Sequence, residues 1–282
     1  MKRVELKNAT VFRLIDASPP PADWAYAFAA HAAEIDATAR RRWAPDGLFH
    51  TNFSAHAIVS EGTVALIDAG LGPEPSAYFN GLRGRLDQEL SAASLTPDMV
   101  SCVMFTHLHL DHVGWASRDG QPCFPNARYV IPKAELAHWK SRGAEAALPH
   151  HVAAFERHIA PLLARGLVDE RGDGERAPGA IPLAYRLLPG HTAGHSAVML
   201  EGGDAPLVIA GDSWHSPAQI ERLDWSHRAD HDPEAAVSSR MRLAQWASGT
   251  NALIAAGHFP EDAGFGHVEA RSEGGFVWRP LR

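Results

Sequence analysis

Short apolar runs recur along the chain, and each stops abruptly at a polar or glycine-bearing turn. The runs at 64–67, 100–105, 185–188, 206–210 and 252–256 are too short for buried helices, so they predict strands. Longer segments with helical spacing lie between them. After the breaker at 18–21, the positions Trp24, Ala27, Phe28, His31, Ile35 and Thr38 predict a helical segment over about 21–43, ended by Pro45-Asp46-Gly47. Its place before the first long strand suits a cover over a site or a dimer contact. Further helices are predicted over 76–92, 134–142 and 150–165, the last kinked or split at Pro161. Asp232-Pro233-Glu234 starts another, with Asp as N-cap and Pro in the first turn, and Gly249 stops it. The polar, glycine-rich stretch 169–180 reads as an exposed loop. Strands and helices alternate without repeats or low-complexity tracts, and no change of composition marks a domain boundary.

The most concentrated chemistry follows the run at 100–105. Thr106-His107-Leu108-His109-Leu110-Asp111-His112 places three imidazoles and a carboxylate in six consecutive positions. In an extended segment His107 and His109 project to one side while Leu108 and Leu110 point back to a core. Asp111 and His112 then face a neighbouring position as the chain turns at Gly114. One loop can thus feed two adjacent cations, and burying these groups without a shared charge would be costly. The remaining ligands should also sit at strand ends, where a rigid sheet holds them. His191, Asp212 and His258 answer this rule, each directly after a glycine that would let the backbone turn and approach closely.

In these motifs, His107-x-His109-x-Asp111-His112, Pro189-Gly190-His191-Thr192-Ala193-Gly194-His195, Gly211-Asp212 and Gly257-His258, the chain resembles the metallo-β-lactamase superfamily over nearly its whole length. The resemblance implies an α/β fold, the four-layer αβ/βα sandwich, as one domain over 1–282. It assigns His107, His109 and His191 to one metal ion and Asp111, His112 and His258 to a second, with Asp212 bridging. His195 matches a histidine that is normally not a ligand. Asp68, closing the run at 64–67, matches a carboxylate that orients a ligand imidazole by accepting its other N–H. Zinc is the expected metal, and the N/O ligand set also accepts iron, manganese or cobalt.

Charge narrows the partners. The chain of 282 residues is 45% hydrophobic and carries 33 acidic against 26 basic side chains, a formal charge of −7. Its one basic cluster, Arg40-Arg41-Arg42, is too small for a nucleic-acid surface, where counterion release needs many cations on one face. No stretch has the length of a membrane span and the N-terminal residues lack a signal-like apolar stretch, so a soluble cytoplasmic protein with a small-molecule substrate is expected. The two cysteines, Cys102 and Cys123, lie outside the ligand motifs and read as buried thiols.

Two divalent ions, offset by Asp111, Asp212 and a bridging hydroxide, would leave an electrophilic centre able to polarise a C=O or P=O oxygen. Coordination lowers the pKa of water toward about 7, so the expected chemistry is hydroxide attack, with Asp111 and Asp212 catalytic and Asp212 able to accept a proton. A bridging aspartate is similar to that of lactonases and phosphotriesterases, and β-lactamases lack it. The stretch after His258 is too short for the thioester-recognition domain of glyoxalase II. Gly211-Asp212-Ser213-Trp214-His215 and the 106–115 segment look most like the methyl parathion hydrolase-like branch, with His215 either a donor to the substrate oxyanion or a supporting group hydrogen-bonded to the backbone. Phe53, Trp115, Trp214, Phe259 and Phe265 are the expected aromatic pocket, favouring an apolar ester, lactone or phosphotriester. His50, His56, His150, His151 and His158 have no motif context and read as ordinary imidazoles. A non-hydrolytic iron protein on the same scaffold, acting in redox or binding, is the alternative.

Overall fold

Alternation within the apolar runs dictates the layers: successive side chains of a strand point to opposite faces, so a strand apolar at every position must be covered on both sides. The computed structural model describes residues 2–35, 43–44, 46–141, 148–202 and 206–281. Strands β1 (Lys2–Glu5), β2 (Thr10–Ala17), β3 (Phe53–Ser60), β4 (Thr63–Ile67) and β5 (Val100–Met104) come first, followed by a two-stranded hairpin of β6 (Ser117–Arg118) and β7 (Gln121–Pro122). With β8 (Arg128–Pro132) and β9 (Val168–Arg171) they form a seven-stranded sheet in the order β1-β2-β3-β4-β5-β8-β9. The six strands β10 (Leu183–Leu187), β11 (Ser196–Leu200), β12 (Leu207–Ile209), β13 (Leu253–Ala255), β14 (Phe265–Ala270) and β15 (Phe276–Pro280) form the second sheet in chain order.

The two sheets share a core. On β4 and β5, Ala65, Ile67, Cys102 and Met104 face Tyr185, Val198, Ile209 and Ala255 of the other sheet. The intervening Val64, Leu66 and Val103 face outward, under Leu86, Leu90, Leu136, Trp139 and Phe155 of the covering helices. On the far side Val208 and Ile254 pack beneath Leu243, Ala244 and Ala247. This is the four-layer αβ/βα sandwich.

The helices are α1 (Trp24–Ala27), α2 (Leu86–Ala92), α3 (Leu110–Val113), α4 (Lys133–Lys140), α5 (Pro149–Ala154), α6 (Ala160–Ala164), α7 (Ala218–Glu221) and α8 (Pro233–Thr250). Several differ from their sequence patterns. The helix expected at 76–92 begins only at Leu86, because Asn80 and Gly81 take left-handed backbone and close a turn with Ser76. Asp16 then accepts from the Leu86 N–H at 2.7 Å and marks the true start. Pro161, which cannot donate a backbone hydrogen bond, is preceded by a π-helical turn at Phe155–Ile159 where a kink or split was expected. Asp232 caps α8 through the Ala235 N–H, as its sequence indicates, yet the helix runs past Gly249 and ends on left-handed Asn251. Positions 169–171 belong to β9, so the loop expected there starts later. Of the expected 21–43 helix, the described part 21–35 contains α1 followed by a 3-10 turn at Ala29–Glu34, broken at Phe28, whose backbone (φ −127°, ψ 54°) is not helical. Thr38 and the Arg40-Arg41-Arg42 cluster lie outside the described residues. No described helix is long and apolar enough to cross a membrane.

Candidate metal centre

Parallel strand pairs put several chain segments at one edge. β4 pairs in parallel with β5, and β12 with β13. Asp68, His107, Asp212 and His258 therefore emerge together where these four strands end, and the β10–β11 turn adds His191. The ligand-type atoms of His107, His109 and His191 lie within 4.8 Å of one another, as do those of Asp111, His112 and His258. Asp212 lies between the trios, its Oδ2 2.8 Å from His258 Nε2, 3.2 Å from His191 Nε2 and 3.8 Å from His107 Nε2. His215 Nε2 is 3.2 Å from the same oxygen, and His191, Asp212 and His215 form a further close group.

Four of the imidazoles, His107, His112, His191 and His258, are aimed from behind. His112 Nδ1 donates to Asp68 Oδ2 at 2.9 Å, and Asp68 also accepts from the Thr106 N–H and hydroxyl. His107 Nδ1 reaches the Thr106 hydroxyl at 3.1 Å, so Asp68 steers two imidazoles, one directly and one through Thr106. His258 Nδ1 donates to the Asn52 carbonyl at 2.7 Å and His191 Nδ1 to Asp230 at 3.1 Å. These bonds fix the tautomers and leave Nε2 lone pairs facing the centre. His195 differs: its Nδ1 donates to the Leu188 carbonyl and its Nε2 accepts from the Asp212 N–H at 2.9 Å, so both nitrogens are committed.

This inward set fits cations. His107 Nε2, His112 Nε2 and Asp212 Oδ1 are buried without a hydrogen-bond partner among the described residues, although the latter two lie only 3.1 Å apart. His191 Nε2 and His109 Nδ1 face each other at 3.0 Å, which calls for a proton or a cation between them. The electrostatics agree. Burial opposes a charge on His112 and His258, yet Asp212, with Asp68 or Asp111 beside it, raises both above the usual imidazole range. Burial likewise opposes ionisation of Asp212, but His258, His112, His107 and His191 hold it well below the usual carboxylate range. The pocket is built to hold positive charge against a carboxylate, whichever cation supplies it.

Two supports carry no ligand motif. Glu135, on α4 and fully buried, accepts from the Leu108 N–H (3.0 Å), the Gly194 N–H (3.1 Å), the Thr192 hydroxyl (2.6 Å) and the Trp139 indole (2.8 Å). It ties the His107 loop to the His191 loop. Arg13, on β2, donates to the carbonyls of Gly257, Phe259 and Pro260 and so clamps the loop carrying His258. Glycine is needed at only some ligand turns. Gly211 has φ +52°, and a Cβ there would meet His195 Nε2 at 2.6 Å. Gly257 has no such backbone, and its Cβ would meet only the Ser54 carbonyl at 3.8 Å, contrary to the close approach expected from sequence.

The centre opens into a cavity of about 370 Å³ lined by His109, Asp111, His191, Asp212, His215 and His258 on one side and by Tyr26, Phe49, Phe53, Tyr78, Phe79 and Leu148 on others. Of the expected aromatic wall only Phe53 is there. Trp214 and Phe259 are buried beneath α8, Phe265 lies between the sheets, and Trp115 packs on the outer core and donates to Asp16 at 2.9 Å. Nearness to ligands in sequence did not place them, because alternate side chains at a strand end point into opposite layers. His150 and His151, read as ordinary imidazoles, line the cavity, with His151 stacked on His109 at 3.8 Å. His50 pairs with Asp46, His158 donates to the Ser117 carbonyl, and His56 is buried against Phe265.

Parallel strands delivering imidazoles and carboxylates to one sandwich edge define a metal-dependent hydrolase. A model of the metallo-beta-lactamase superfamily matches residues 54–258, and the chain belongs to that superfamily. An N-acyl homoserine lactonase of Bacillus thuringiensis is 30% identical over 217 residues, covering 70% of this chain and 77% of that protein. The N-acyl homoserine lactonase AttM of Rhizobium radiobacter is 23% identical over 236 residues, covering 72% of this chain and 80% of that protein. Among solved structures, the hydrolase AbOPH of the beta lactamase superfamily superposes with a TM-score of 0.86 at 25% identity, covering 99% of this chain and 97% of that one. AidC, a dizinc quorum-quenching lactonase in complex with a product, superposes with a TM-score of 0.84 at 22% identity, covering 100% of this chain and 97% of that one, a likeness of fold.

Proposed function

We propose that this protein is a dinuclear metal-dependent hydrolase of small lactones and related esters, nearest in kind to the methyl parathion hydrolase-like branch. The observation that carries the reading is the pair of ligand trios on either side of Asp212, opening on one cavity with apolar and aromatic walls. His107, His109 and His191 would hold one ion and Asp111, His112 and His258 the other, with Asp212 shared, and zinc is the ion of choice. Such ions, when bound, polarise a carbonyl or phosphoryl oxygen and make hydroxide available near neutral pH.

The chain's own residues do the rest. A cavity of this size suits a small ligand, and Phe49, Phe53, Tyr78, Phe79 and Leu148 would bind its apolar body away from water. Asp111 and Asp212 are the two carboxylates on the described cavity wall, and Asp212, lying between the trios, would take the proton released on attack. Burial lowers the His215 pKa to about 4, with Asp212 opposing, so its imidazole is neutral at pH 7 and can offer an N–H to the developing oxyanion. The 21–35 part of the N-terminal segment acts as the cover, since Ala22 and Tyr26 line the cavity.

The test is metal analysis plus a substrate panel: N-hexanoyl homoserine lactone, a p-nitrophenyl ester, an aryl phosphotriester and a β-lactam. Two metal ions per chain and kcat/KM for lactone or ester at least on the order of a hundredfold above the β-lactam are expected. Preference for the β-lactam, or an iron-loaded protein without esterase activity, overturns the proposal.

A further inference from the structure

Among the described residues, the cavity lining contains one cation. Arg228 lines the cavity beside Ala229 and His227, and its guanidinium lies 4.2 Å from the Tyr26 ring centre. Several described arginines are satisfied by acids: Arg118 by Glu74, Arg128 by Asp169, Arg176 by Glu201, Arg240 by Asp230 and Arg279 by Glu269. Arg228 forms no ion pair among the described residues. In a chain of net charge −7 an exposed arginine on a cavity wall, packed on an aromatic face, has spare hydrogen-bonding capacity.

Its backbone is anchored. The Arg228 backbone N–H donates to the Ala27 carbonyl at 2.8 Å, tying it to α1, while the neighbouring His227 ring stacks at 3.7 Å on His215, which touches Asp212. On the adjoining wall Tyr78 stacks on His150 at 3.7 Å, and the Arg228 charge acts on both of them. One cavity therefore brings together the polar centre, aromatic surface and a guanidinium.

Resting on the hydrolase reading above, we infer that Arg228 is a specificity-determining residue, and that the substrates this cavity prefers are apolar esters or lactones bearing a carboxylate remote from the scissile carbonyl. The guanidinium can bind a carboxylate through two parallel N–H···O bonds while its flat face stays on Tyr26, a geometry that an ammonium cannot reproduce. A neutral substrate of the same length would gain only the aromatic contacts.

The experiment compares p-nitrophenyl hexanoate with the p-nitrophenyl half-ester of adipic acid, the same chain ending in a carboxylate. Metal-loaded wild-type protein is expected to favour the half-ester, and Arg228→Ala to reduce the half-ester to hexanoate ratio of kcat/KM roughly tenfold, with most of the change in KM. Arg228→Lys should recover only part of the ratio. Calorimetric titration of wild-type protein and Arg228→Ala with monomethyl adipate and dimethyl adipate gives a readout independent of turnover. Tighter binding of the monoester, lost in the variant, supports the inference, and equal ratios and equal affinities in both proteins overturn it. If neither p-nitrophenyl ester is hydrolysed the hydrolase reading falls, while the titration still decides whether Arg228 selects the anion.

Discussion

The two sheets present their ligands from equivalent parallel strand pairs, but they hold them by opposite means. The β4–β5 edge delivers four of the seven ligand-type side chains from one loop, three of them imidazoles, and supports them with buried carboxylates: Asp68 behind His112 and Thr106, and Glu135 behind Leu108. The β12–β13 edge delivers Asp212 and His258, and its supports are an imidazole and a guanidinium: His195 accepting from the Asp212 N–H and Arg13 holding the carbonyls around His258. A histidine-rich loop thus rests on anions and the aspartate-bearing edge on bases. The difference shows how a site receptive to cations can be buried: several candidate ligands are held from behind by hydrogen-bonding partners, His112 by Asp68, His191 by Asp230 and the loop of His258 by Arg13.

The largest effect should come from removing a ligand of the first edge. His109→Ala or His112→Ala is expected to cut turnover roughly a thousandfold or more, a loss of several kcal/mol of transition-state stabilisation, while circular dichroism shows a folded chain. Retention of wild-type activity with two bound ions would remove that residue from the centre. Next is the anionic support itself: Glu135→Ala strands four buried donors and should lower stability by about 3–5 kcal/mol in urea unfolding. A change below about 1 kcal/mol would mean that the two loops do not depend on the clamp. On the second edge, Gly211→Ala combines left-handed backbone with the close approach of His195 and should cost about 2–4 kcal/mol, read as a lowered unfolding midpoint. Asp68→Asn keeps shape but removes charge, and metal affinity measured by competition with a chelator should fall about 10–100-fold. Gly257→Ala closes the series, with stability expected to shift by less than about 0.5 kcal/mol. A large loss there would show that the two edges share a glycine requirement that their geometry does not indicate.

How much was legible in the sequence follows the same division. His107, His109, Asp111, His112, His191, Asp212 and His258 could be read because imidazoles and carboxylates at strand ends are chemically conspicuous, and the layers could be read from strands apolar on both faces. The supports could not. Glu135 sits in Lys133-Ala134-Glu135-Leu136, where an acid in the first turn of a helix reads as an ordinary solvated charge, and only the fold shows it turned inward. Asp230 and Arg13 carry no local pattern, being defined by partners 39 and about 245 residues away. The aromatic wall was misplaced because proximity in sequence says nothing of which layer a side chain enters. Tyr26 and Tyr78 come instead from segments far from every ligand motif.

The ordering of ligands along the chain has a kinetic meaning. Each expected trio draws on both sheets, so His107 meets His191 across about 84 residues and His112 meets His258 across about 146, and closure of such loops comes late because their entropy is spent before their contacts form. The centre can be completed only after the sheets have docked, and an incomplete chain would carry the HxHxDH loop without the residues that finish either trio. An ion gripped from both sides would act as a reversible crosslink between the most distant parts of the molecule. It would register the arrival of the native topology and, by binding the folded chain alone, slow its departure.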